Sequence, residues 1–224
     1  APWGEYIKGA LDFGLAIIGA IVFVAAFGSE VFISIGGASF EIPVVIYAIL
    51  ACILFIVSIN ATNATDGVDG LSGSITILSI ITMTIAGSIV DGFDATKAVS
   101  GLILVAVIAA YLWFNHFPSK MLMGDAGSRA IGFFIAFYAM YMKIPFAYLI
   151  VGLPFLLDGG LSILKITIGR LTHKKVIILK NLITPVHDHL KKRKGLSVPK
   201  TWAVIVGFAF VIDIIYLIVV AISN

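Results

Sequence analysis

Two amides and two carboxylates, Asn60, Asn63, Asp66 and Asp69, fall within the eleven residues Asn60 to Gly70, between two long apolar runs. This oxygen-rich set suits a hard divalent cation. Mg²⁺ prefers carboxylate and amide oxygens, keeps several waters and shares the phosphates of a substrate. Asn63, Asp66 and Asp69 advance by three, so they share one face if the preceding helix runs on through them. Gly67 and Gly70 allow a ligand close to the backbone. The plainer reading is a polar turn in which Asp69 caps the next helix, yet a cap needs one aspartate rather than two aspartates and two asparagines.

Two more polar islands interrupt the apolar sequence. The second, Asn115 to Ser128, sets Asp125 between Gly124 and Gly127 just before an apolar run. Asp and Ser are good helix N-caps, which is one reading. The glycines suggest the other, a phosphate approaching a helix N-terminus. The third, Pro185-Val-His187-Asp188-His189, lies in a strongly basic segment. Two histidines at i, i+2 do not share a helical face, so they do not make a zinc pair by themselves. Beside Lys191 to Lys194 they suit anionic phosphates, or the segment simply rests on acidic lipid headgroups.

The elements that must hold these islands are membrane spans. The 224 residues are 60% hydrophobic and 12% charged, with mean hydropathy +1.11. A soluble chain is nearer half apolar and a quarter charged. Runs of about 20 apolar residues cross the hydrocarbon as helices, and these runs lack the every-second-residue alternation of a barrel. The expected fold is therefore all-α, a polytopic transmembrane bundle forming one domain over 1–224. About seven spans are expected, near 11–27, 42–59, 71–90, 98–114, 129–142, 146–168 and 201–222. Alternating apolar residues around Gly36-Gly37 predict a small β-hairpin within 28–41, with an irregular loop as the alternative. No signal peptide is expected, because the first residues lack a basic region. The lone Cys52 reads as a small buried hydrophobe.

Counting spans places the three islands on one side of the membrane. Ten of the 15 Lys and Arg fall between Lys165 and Lys200, which marks that side as cytoplasmic. The opposite loops hold only Lys97 and Lys143. Within the sixth run, Pro154 predicts a bend. Asp158 is either a functional carboxylate at membrane depth or a partner of Lys165 or Arg170 near a break. Asp213 reads as a packing or lipid-interface residue.

Together the islands resemble the polyprenyl-phosphate N-acetylhexosamine-1-phosphate transferases, and within them the muramoyl-pentapeptide branch. That family carries N-x-x-N-x-T-D-G-x-D-G-L, matched from Asn60 to Leu71 almost position for position. Its F-N-x-x-P is matched by Phe114 to Pro118. Its F-M-G-D-x-G-S is matched from Leu122 to Ser128, with leucine for the first aromatic. Its P-x-H-H-H is matched by Pro185 to His189, with Asp188 for the middle histidine.

The resemblance implies a Mg²⁺-dependent enzyme of the bacterial cytoplasmic membrane that moves phospho-MurNAc-pentapeptide from UDP-MurNAc-pentapeptide to undecaprenyl phosphate and releases UMP. It implies Asp125 as the Mg²⁺ carboxylate with Asn63 as co-ligand. Asp66, Asp69, Asn60 and Asn115 would hold uridine and diphosphate, Leu122 would cover the uracil, and His187, Asp188 and His189 would face the sugar or lipid phosphate. Asp125, His187 and Asp66 are the candidate catalytic groups. Nucleic acid is not an expected partner, and a homodimer is allowed. The family has about ten spans and an adjacent Asp-Asp pair in an earlier loop. This chain has no Asp-Asp dipeptide and resembles the last seven spans, so it is not expected to be active alone. A UDP-GlcNAc transferase is the nearest alternative. A more distant one is an ion-coupled transporter using Asp158 and Asp213.

Overall fold

A computed structural model of the chain describes residues 4–173, 175–176 and 178–224, without the side chains of residues 5 and 6. Its backbone is a helical bundle. Helix α1 (Glu5–Phe27) leads into a two-stranded antiparallel hairpin, β1 (Glu30–Phe32) and β2 (Ser39–Glu41), with Val31 opposite Phe40. The expected hairpin is therefore present, turned by Gly36 and Gly37, both at positive φ. Helices α2 (Val44–Thr65), α3 (Leu71–Asp91), α4 (Ala95–Asn115) and α5 (Gly124–Tyr141) follow. A bent segment then comprises α6 (Tyr148–Val151), α7 (Leu153–Phe155), a π-helical turn (Leu156–Gly160) and α8 (Leu161–Leu171). Short α9 (Val186–Lys192) and long α10 (Val198–Ser223) complete it.

Among the described residues five helices (α1, α2, α3, α4 and α10) are long and apolar enough to cross a membrane, and the segment bent by 57° at Gly152 brings the number to six if it is one broken span. The bundle is thus a multi-pass helical membrane protein. The fifth expected crossing, 129–142, belongs to α5, whose polar first turns keep it below the hydropathy of a free-standing span. It nonetheless traverses the bundle: 18 residues at 1.5 Å each reach about 27 Å. Its first turn meets Asn63 at the end of α2, and just beyond its last turn Lys143 bonds Glu30 of the hairpin and Asp91 at the end of α3. The chain's end lies at the hairpin too, where Asn224 Nδ2 donates to the Ser34 carbonyl and Tyr216 pairs with Ser34. The alternation of sides expected from the sequence holds.

The core centres on α3. Leu71, Ile75, Ile80 and Met83 are fully buried there, packed with Ile135 and Tyr138 of α5 and Phe155 of the bent segment. A second cluster joins Ala16, Ala20 and Phe23 of α1 to Phe55 and Ile59 of α2, with Cys52 packed against it. Helices α2 and α5 approach backbone to backbone at Gly132, where a Cβ would stand 2.6 Å from the Ser58 carbonyl oxygen. Close approach of small residues is how helices gain contact inside a bilayer. Gly132→Ala should therefore cost about 1–3 kcal/mol through overpacking. A lower thermal midpoint in detergent checks this, and an unchanged midpoint would show that the crossing can give way.

One expectation changes and another is narrowed. Helix α2 stops at Thr65, so Asn63, Asp66 and Asp69 do not share one helical face. Asp66 is the C-cap (φ −74°, ψ 44°) and Gly70 turns left-handed at φ 74° to start α3. Of the two readings of Asp213, packing or lipid interface, its burial selects the first, and what was not expected is that among the described residues neither carboxylate oxygen has a hydrogen-bond partner.

Candidate functional site

The ends of α2, α3, α4 and α5 meet on the side opposite the hairpin, and α9 folds over them. Each island is tied to another by specific bonds. Asn63 Nδ2 donates to Ser128 Oγ at 2.9 Å and to Asp125 Oδ1 at 3.4 Å. Asp69 Oδ2 accepts the Ser119 backbone N–H at 3.0 Å, so Asp69 does not cap α3 but braces the second island. Asn115 Oδ1 accepts the Gly70 N–H at 2.9 Å, while its Nδ2 donates to Met121 and Ser119. The third island closes from above. The His187 ring packs against Gly67, where a Cβ would lie 2.5 Å from Nε2, so only glycine fits. Lys191 Nζ reaches the Gly67 carbonyl at 3.2 Å.

The sequence-expected residues are therefore brought together, with different orientations. Asp125 is the exposed one: its side chain keeps 56% of its surface open in the first turn of α5, and Lys8 Nζ donates to Oδ2 at 2.6 Å. Asp66 accepts from Ser72 Oγ. Burial pushes the Asp66 carboxyl up, the Ser72 hydroxyl opposes this, and the Asp125 charge raises it further. Leu122 is 80% exposed and open to a ligand. Asn115 is buried and turned inward, and Asn60 donates to Ile56 on its own helix. His189 Nδ1 accepts the Ile183 N–H. Asp188 pairs with Lys192 at 2.8 Å and Lys191 at 3.3 Å. Burial pushes its carboxyl up, but Lys192, His187 and Lys191 outweigh this and hold it below the ordinary value. Beside Asp69 opens a cleft of about 370 Å³ edged by His116, Phe117 and Trp202.

One pairing at the site was not specified by the sequence. Asp158, 2% exposed in the π-helical turn, accepts the His187 backbone N–H at 2.6 Å on Oδ1, and its Oδ2 lies 2.7 Å from His187 Nδ1. A carboxylate only accepts, so Nδ1 carries a proton, and the neutral form of the ring has its lone pair on Nε2. Neither Lys165 nor Arg170 pairs with Asp158. Lys165 instead donates to the carbonyls of Leu182 and Leu179. The signal available in the sequence was an ionisable residue between Pro154 and a glycine pair at membrane depth.

A divalent cation would have to be held here by few protein ligands. Among the described residues no cluster of three or more His, Cys, Asp or Glu is arranged to hold one. Mg²⁺ does not require such a cluster, because it binds through one or two carboxylates and completes its shell with water and substrate phosphates. Asp125 and Asp66, whose carboxyl the Asp125 charge helps push up, would be the two carboxylates to hold it.

Apolar crossing helices with three polar loops gathered at one end define a polytopic membrane protein with a single-sided site. The chain belongs to glycosyl transferase family 4, whose family model matches residues 1–143. It is similar to the phospho-N-acetylmuramoyl-pentapeptide-transferase of Treponema pallidum (strain Nichols), 37% identical over 85% of this chain and 56% of that one. It is also similar to the enzyme of the same name from Clostridium acetobutylicum, 30% identical over 74% of this chain and 50% of that one. The chain spans about half the length of the curated relatives it matches. The family resemblance drawn from the motifs is borne out.

Proposed function

We propose that the protein transfers phospho-MurNAc-pentapeptide from UDP-MurNAc-pentapeptide to undecaprenyl phosphate and releases UMP, in the bacterial cytoplasmic membrane with its three-island end facing the cytoplasm. The observation that carries this reading is the convergence of Asp66, Asp69, Asp125 and His187 at one end of the bundle. A transporter would centre its polar residues at the midplane. The names of the relatives supply the donor group.

In the reaction an oxygen of the lipid phosphate attacks the β-phosphorus of the donor, the bond to the α-phosphate oxygen breaks, and UMP leaves with the electron pair. Mg²⁺ on Asp125 and Asp66 would supply charge neutralisation at the diphosphate. Asp69 and Asn115 brace the loops around the donor. The lone pair of His187 Nε2, on the Gly67 side, can accept a proton from a phosphate or hydroxyl. Lys191 and its basic neighbours attract the anionic substrates.

Release of UMP from UDP-MurNAc-pentapeptide and from UDP-GlcNAc, each with undecaprenyl phosphate in detergent, tests the reading in the full-length protein. The muramoyl donor is expected to react at least tenfold faster. Preference for UDP-GlcNAc would move the protein to the neighbouring branch, and no UMP from either would overturn the transferase reading.

A further inference from the structure

Two pairs of opposite charge lock α1 to α5 at the edge of the site. Lys8 and Asp12 lie one turn apart on α1, and Asp125 and Arg129 lie one turn apart on α5. Lys8 Nζ meets Asp125 Oδ2 at 2.6 Å, and Arg129 Nη1 meets Asp12 Oδ2. The offset is 117 residues in both, so the helices run parallel in register. The first pair is largely exposed. The second is not: the Asp12 side chain is 7% exposed and that of Arg129 is 19% exposed. Buried charges are costly unless paired, and Asp12 is the partner that Arg129 has across the α1–α5 contact.

The other arm of the guanidinium reaches the site. Arg129 Nη2 donates to Asn63 Oδ1 at 3.3 Å. The Asn63 amide nitrogen then faces Asp125 Oδ1 and Ser128 Oγ. This orientation is closed to reversal. A guanidinium can only donate and a carboxylate can only accept, so a flipped carboxamide would set NH₂ against Arg129 and oxygen against Asp125. While Arg129 stands there, the Asn63 oxygen is turned away from a cation on Asp125.

We propose that Arg129, anchored by Asp12, is a positioning residue of this site. It holds the Asn63 carboxamide so that its nitrogen, not its oxygen, faces Asp125. Asn63 then orients the carboxylate that binds the cation instead of sharing the cation with it. The inference rests on Asp125 as the cation-binding group, and it assigns to Asp12 and Arg129 a role that none of the sequence motifs carries.

The test is Mn²⁺ binding, read by the electron paramagnetic resonance of free Mn²⁺, together with kcat and KM for UMP release. Arg129→Leu alone strands a buried carboxylate and can fail to fold. The informative variant is Asp12→Leu with Arg129→Leu, because replacing a buried ion pair by apolar side chains of similar size is often neutral for stability. Freed from Arg129, the Asn63 oxygen turns to the cation. Mn²⁺ should bind about three- to tenfold tighter, and kcat should fall about tenfold with KM changed less than threefold. Adding Asn63→Ala should abolish the tightening. Unchanged Mn²⁺ affinity and kcat in the double variant would make the pair a structural tie and overturn the proposal. Tightening that persists without the Asn63 carboxamide would reduce the effect to lost positive charge and overturn it too. Asp125→Asn with parental Mn²⁺ affinity would instead show that the underlying cation reading had failed.

Discussion

Asp125→Asn is expected to lower cation-dependent UMP release by about a thousandfold or more, while leaving the protein folded. The substitution keeps the size of the side chain and an oxygen for Lys8. It removes the negative charge proposed to bind a divalent cation at a site with few other ligands. Removing a single preorganised electrostatic group from an active site costs about a hundred- to a thousandfold. Losing the cation itself would cost more, because the charge developing on the oxygen that leaves with UMP would lose its strongest neutralising partner. Stability should change by no more than about 0.5 kcal/mol, since Asp125 is exposed and its ion pair to Lys8 is open to solvent. UMP release against Mg²⁺ concentration, with the thermal midpoint in detergent, checks both parts. A near-parental rate would remove Asp125 from the reaction. Chelation of Mg²⁺ in the parent should reproduce the loss, and a rate unaffected by chelation would remove the cation.

Much of this arrangement was legible in the chain because it depends on composition and order. Apolar runs of span length, separated by polar islands and with basic residues gathered after Lys165, imply which loops share a side, and the bonds of Lys143 and Asn224 at the hairpin agree. What was not legible depends on where helices stop and how side chains turn. Three-residue spacing put Asn63, Asp66 and Asp69 on one face only if α2 continued, but it ends at Thr65, and the glycines on either side of Asp69 convert the spacing into a loop. Asn115 looked like a ligand contact and is instead buried, bonded to Gly70, Met121 and Ser119. Asp12 and Arg129 are 117 residues apart, and their pairing exists only once α1 and α5 are packed side by side. The charges of Asp12 and Arg129 inside apolar runs do not by themselves say which residue each one meets.

The partner of Asp158 leads to the second large expected effect. Asp158→Asn should lower kcat by about a hundredfold or more, with KM for the donor within about threefold. The carboxylate offers one oxygen to the His187 backbone N–H and the other to Nδ1. Asparagine has one oxygen and one NH₂. If its oxygen keeps the backbone bond, NH₂ faces Nδ1, which must then give up its proton and accept. The proton moves to Nε2, and the nitrogen on the Gly67 side becomes a donor where it had been an acceptor. An aspartate that fixes the tautomer of a working histidine can be worth about four powers of ten in rate in a serine protease, where the histidine is the principal base. A smaller loss is expected here, because a cation at the proposed site would share the charge stabilisation. Asp158→Ala is a different experiment. It leaves two buried donors without an acceptor and should cost about 3 kcal/mol or more, so a dead variant would say nothing about tautomers. The asparagine variant should stay folded and change the ¹⁵N shifts of His187 from the Nδ1–H to the Nε2–H pattern. A tautomer switch with an undiminished kcat would show that His187 serves only to close α9 over Gly67. A lost kcat without a switch would place the role in Asp158 itself.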